Sequence, residues 1–127
     1  EDADEREAIR YKMTPAISDG LAEENPGLIE DIVDWRLASD ASEAGRNAQA
    51  AAVQAFDASD ELASLSAPTL LMHGTADEVL PVENAHALAE ALPHADLELF
   101  EGGPHLFFIE QADAVTDRLR EFLDSHA

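Results

Sequence analysis

Cysteine is absent from all 127 residues, which excludes a disulfide framework and any thiolate metal site. An intracellular, cytoplasmic setting is the simpler expectation. Basic residues are nearly as scarce: seven Lys and Arg, with Lys12 the only lysine, face 28 Asp and Glu, for a formal net charge of −21. A field of that sign repels phosphate backbones and anionic headgroups, so neither nucleic acid nor a membrane is expected as a partner. No apolar run reaches the roughly 18 residues of a membrane span, and no signal-peptide pattern is present. Aromatic residues make up only 6%, and alanine supplies much of the 46% hydrophobic share. The expected core is therefore thin for the length, enough for one domain and too little for two full ones.

Such a charge has two readings. Disorder suits low-complexity chains, whereas here the apolar residues fall in periodic segments. Adaptation to salt is the other reading: a dense carboxylate surface repels itself in dilute solution and is screened once the Debye length falls to about 3 Å near molar salt. Far-UV circular dichroism is expected to show helix reaching its full value only as KCl rises toward molar; complete folding without salt contradicts this. The sequence opens on Glu1 rather than Met, which fits a processed, trimmed or partial chain.

Residues 1 to about 62 read as helix after helix without a strand. Asp2 to Met13 is a charged helix with few candidates for burial, interrupted at Thr14-Pro15. Asn25-Pro26 is a start signal, a cap followed by proline in the first turn, and Leu28, Ile29, Ile32, Val33 and Leu37 then share a face. Ser42 to about Phe56 is a further helix with Ala48, Ala52, Val53 and Phe56 as its apolar side. At Ala67-Pro68 the character changes. Thr69-Leu-Leu-Met-His73 is a continuous apolar run, as expected of a strand buried on both faces. Val82 to Leu92 reads as helix, with Val82, Ala85, Leu88, Ala89 and Leu92 on one side. Ala95-Asp-Leu-Glu-Leu-Phe100 alternates like a half-exposed strand, Gly102-Gly103-Pro104 breaks it, and Val115, Leu119, Phe122 and Leu123 mark a closing helix. Strand, helix, strand, helix in that order predicts two parallel strands joined by a right-handed crossover. A pair of strands is too little for a stable parallel sheet, and the first needs a neighbour on its free side.

Two segments carry the candidate chemistry: His73-Gly-Thr-Ala-Asp77-Glu-Val-Leu-Pro81 and Gly102-Gly-Pro-His105-Leu-Phe-Phe-Ile-Glu110. Each follows a strand, where an open parallel sheet presents functional groups at the carboxyl ends. Asp77 is either a site carboxylate or a turn residue bonding its own backbone; His105 is either a site imidazole or a packed structural one. Glu78 is the rival acid, or a solvated charge at the following helix. His73 is a packed residue near the site or a contact of the Asp77 loop. His86 and Glu90, four apart, make an incomplete metal pair or a solvated helix face. His94 and His126 read as surface. Phe107, Phe108 and Ile109 read as core, or as one wall of a substrate pocket, while Trp35 and Met13 either contact substrate or join helices.

Taken together, Ala67-Pro-Thr-Leu-Leu-Met-His-Gly74, Gly74-x-x-Asp77, Gly103-Pro-His105-Leu and Glu110 resemble the C-terminal portion of an α/β-hydrolase. Residues 1–62 resemble, more loosely, its helical cap. The resemblance implies an α/β fold, with 63–127 as a β-α-β-α piece of the core. It implies Asp77 as orienting acid and His105 as general base of a Ser-His-Asp triad, acting on a small-molecule carboxylic ester, lactone or similar acyl substrate. The serine, on a G-x-S-x-G elbow, is expected in an N-terminal half preceding residue 1, which would be the partner of this chain; an aspartate there would imply dehalogenation or epoxide opening instead. Ser18 and Ser66 lie on no such elbow, so the chain alone is expected to be inactive. A non-catalytic interaction subunit and an inactive truncated remnant are the alternatives. Nothing in the sequence calls for a metal or an organic cofactor.

Overall fold

Side-chain caps mark two of the helix starts. In a computed structural model, which describes residues 2–39 and 41–127, Asn25 accepts the Leu28 N–H at 3.4 Å through Oδ1, ahead of a helix that begins at Pro26. Ser42 accepts the Gly45 N–H at 3.2 Å ahead of another. The chain divides into two units, residues 1–14 with 19–58, and residues 15–18 with 59–127.

The first unit contains α1 (Asp2–Met13), α2 (Leu21–Glu24), α3 (Pro26–Ser39) and α4 (Glu43–Ala55). Ile9 and Met13, one helical turn apart on α1, are buried, as are Ile29, Ile32 and Val33 of α3. Arg6 bonds Glu30 at 2.6 Å and Asp34 at 2.7 Å, and Arg10 bonds Glu30 at 2.6 Å, tying α1 to α3. Met13 and Ile9 are the few buried positions that α1 was expected to offer. One expectation needs correction here: the apolar side of α4 is open, with Val53 and Phe56 75% and 77% exposed. Trp35 is exposed as well.

The second unit holds β1 (Thr69–Gly74), α5 (Val82–Ala91), β2 (Ala95–Phe100), α6 (Phe107–Glu110) and α7 (Ala112–Ser125). β1 and β2 pair in parallel, from Thr69 opposite Ala95 to Gly74 opposite Phe100. Arg118 of α7 bonds Glu98 and Asp96 of β2 at 3.1 and 3.5 Å. Phe100, Phe107 and Val115 form a small core with Met72 packed against it. β1 departs from the expected double burial: only Gly74 is buried, because a two-stranded sheet gives it a single neighbour. On α7 only Val115 is buried, while Leu119 and Leu123 are exposed. No described helix is long and apolar enough to cross a membrane.

Candidate active site

Because Gly74 lies opposite Phe100, both strands finish level and the two turns leave the sheet side by side. Main-chain bonds stitch them together. The Thr75 N–H donates to the Phe100 carbonyl at 3.0 Å, the Ala76 N–H to the Gly103 carbonyl at 2.9 Å, and the Gly102 N–H to Thr75 Oγ1 at 2.8 Å. Gly74 makes this approach feasible, since a Cβ there would fall 2.1 Å from the Gly103 oxygen and 2.6 Å from that of Pro104. Gly102 serves differently, turning the chain through a left-handed φ of 66°.

This seam brings Asp77 and His105 together. Asp77 Oδ2 lies 2.8 Å from His105 Nδ1, while Oδ1 accepts the N–H groups of Val79 and Leu80, both at 2.8 Å. The carboxylate is thus a turn residue through one oxygen and an imidazole partner through the other. Its side chain is 4% exposed and that of His105 is 34%. Burial pushes the Asp77 carboxyl upward, but hydrogen bonds from Leu80, His105 and Val79 outweigh it and hold the group below the ordinary carboxylate value. An ionised Asp77 accepts from Nδ1–H of His105, which leaves Nε2 as the basic nitrogen of the neutral ring. Among the described residues Nε2 has no hydrogen-bond partner.

Among the remaining candidates, His73 stands beside the pair without bonding to it, and the others lie apart. His73 donates Nδ1–H to the Gly74 carbonyl at 2.9 Å, and its Nε2 stands 3.7 Å from Asp77 Oδ2, beyond hydrogen-bond length. Glu78 is exposed. His86 and Glu90 are exposed on α5, and no metal-binding group of three or more His, Asp or Glu occurs among the described residues. His94 and His126 line an open cavity of 520 Å³ with Pro68, Pro93 and Ala95, at the amino ends of the strands and so at the opposite end of the sheet from the Asp77–His105 pair. Phe107 stacks on Phe100 with ring centroids 4.9 Å apart, whereas Phe108, expected in the core or a pocket wall, is 49% exposed.

Sequence reasoning missed three supports: the closeness of Gly74 to Gly103, the Thr75 hydroxyl, and a link between Ser18 and Glu110. In the last, Glu110 Oε1 accepts the Ser18 N–H at 3.0 Å and Oε2 accepts the Ser18 hydroxyl. No signal in a single sequence pairs residues that far apart.

The family model described as serine aminopeptidase, S33, matches residues 23–112. Pimeloyl-[acyl-carrier protein] methyl ester esterase of Aliivibrio fischeri is 34% identical over 72 residues, 57% of this chain and 28% of that protein. A thermophilic esterase from Thermogutta terrifontis superposes with a TM-score of 0.72 at 29% identity, over 92% of this chain and 43% of the esterase. Est816, an N-acyl homoserine lactone degrading enzyme, gives a TM-score of 0.72 at 26% identity, over 92% of this chain and 47% of its own. The chain spans between 14% and 28% of the length of the curated relatives it matches. A match over residues 23–112, joined to a strand-tip carboxylate and imidazole on a parallel pair, means that this chain belongs to the serine aminopeptidase S33 family of the α/β-hydrolase superfamily.

Proposed function

We infer that this chain supplies the orienting acid and the general base of a hydrolase that cleaves a carboxylic ester, lactone or similar small acyl substrate. Residues 1–62 are its helical cap and 63–127 the core portion bearing the pair; the nucleophilic serine belongs to an N-terminal half outside this sequence. The single observation behind the reading is the 2.8 Å bond from His105 Nδ1 to an Asp77 carboxylate already held by two backbone N–H groups. Asp77 fixes the tautomer, so Nε2 can take the hydroxyl proton as the serine oxygen attacks the acyl carbon. The resulting imidazolium, stabilised by Asp77, returns that proton to the departing alkoxide as the acyl–oxygen bond breaks. Water then repeats the sequence on the acyl-enzyme and regenerates the serine. The esterases and the lactone-degrading enzyme among the similar proteins support an acyl substrate over an alkyl halide or an epoxide.

A longer chain carrying a strand, a G-x-S-x-G turn and a helix upstream of residue 1 tests this directly. With p-nitrophenyl esters in molar KCl it is expected to release a burst of p-nitrophenol stoichiometric with enzyme, followed by slower steady turnover. A folded longer chain that gave no burst and no turnover would refute the hydrolytic reading.

A further inference from the structure

The turn bearing His105 is held from two directions. On one side Gly103 accepts from Ala76. On the other, Leu106 donates its N–H to the Ala16 carbonyl at 2.8 Å, and Glu110 receives both donors of Ser18. His105 sits between the two anchor points. Glu110 is rigidly connected to this turn, because its own N–H bonds back to the Leu106 carbonyl at 3.3 Å. Residues 15–18, which join α1 to α2, thereby belong with the second unit. The imidazole itself has only Asp77 as a hydrogen-bond partner among the described residues, so its direction depends on how the backbone beneath it is fixed.

We propose that Glu110, through its two-pronged grip on Ser18, is a positioning residue that holds the His105 imidazole against Asp77, making residues 16–18 part of the active-site framework. The assignment rests on the hydrolase reading above and adds to it a support drawn from far away in the chain. Both Ser18 and Glu110 are half-buried, and a carboxylate accepting two donors at once fixes direction as well as distance. Ser18 spends its hydroxyl proton on Glu110, which gives this serine a defined structural use.

The test reads the His105 Nδ1 proton in the 127-residue chain, ¹⁵N-labelled in molar KCl, by its exchange with water. Glu110→Ala, which removes both hydrogen bonds at roughly threefold each, is expected to speed exchange about tenfold. Ser18→Ala, which removes one prong, is expected to give roughly threefold. Glu110→Gln should restore near-wild-type exchange, because the amide oxygen accepts the Ser18 N–H while its NH₂ donates to the hydroxyl oxygen. Exchange within twofold of wild type in Glu110→Ala, even with a lower Tm, would overturn the proposal and leave a merely structural contact. If Glu110→Ala does not fold, Ser18→Ala decides by the same criterion. Because the readout is geometric, it stands apart from catalysis: a longer chain that lacks turnover refutes the hydrolase reading without moving this proton.

Discussion

On the proposed function, turnover of a longer chain carrying the nucleophile is expected to fall about 10⁶-fold in His105→Ala and about 10⁴-fold in Asp77→Asn. The first substitution removes the proposed base outright. The second is subtler, since an asparagine oxygen can go on accepting from Val79 and Leu80 at the 2.8 Å now seen for Asp77 Oδ1. Its NH₂ then faces His105 Nδ1, which must give up its proton to accept. That proton moves to Nε2, the nitrogen that needs a lone pair to receive one from a nucleophile. Steady-state rates on p-nitrophenyl esters measure both, and a rate within tenfold of wild type in either variant would remove that residue from the mechanism. Stability gives a second readout. The folded Asp77 carboxyl titrates below its ordinary value, so its contribution is fully present above the unfolded carboxylate pKa and fades as pH falls through the lowered one. The wild type should therefore exceed Asp77→Asn in urea-unfolding stability at pH 7, and the gap should close on acidification toward the lowered value.

Gly74→Ala is expected to open the site without touching either functional side chain. The added methyl would meet Gly103 and Pro104 backbone atoms at 2.1 to 2.6 Å, none of which can swing aside as a flexible side chain would. Relief requires the two turns to separate by about 1 Å, a displacement of the size that lowers turnover roughly 10²-fold. The same strain should lower stability by roughly 3 kcal/mol, or about 10 °C in Tm. Thermal unfolding in molar KCl and the His105 Nδ1 proton signal check the two effects together. Gly102→Ala is the matched control: open space surrounds it, and only its φ of 66° opposes a side chain, for about 1 kcal/mol. Equal behaviour of the two variants would contradict the close-approach argument.

The strands and the helix between them were legible because their signals are local. An apolar run bounded by Pro68 and Gly74 and an alternating run ended by Gly102-Gly103 both register within a few residues. Asp77 and His105 were legible for the same reason, each standing just past its strand. What holds them was not. Gly74 reads as an ordinary turn residue until the Gly103 carbonyl is seen against it, and Ser18 and Glu110 meet only through tertiary structure. Burial was misjudged where a face has no partner among these residues: periodicity marks Val53, Phe56, Leu119 and Leu123 as apolar-side positions, but it cannot say whether anything packs on them.

The level finish of the two strands turns loop length into a ruler. Asp77 is three residues beyond one strand end and His105 five beyond the other, both counted from a shared baseline. Deleting one residue from either tether would shorten its reach by about 3.5 Å, more than the whole length of the bond it serves. Sequence drift in these tethers is thus free in side-chain identity at an exposed position such as Ala76 and strict in count, and a one-residue indel there should be more damaging than most point changes.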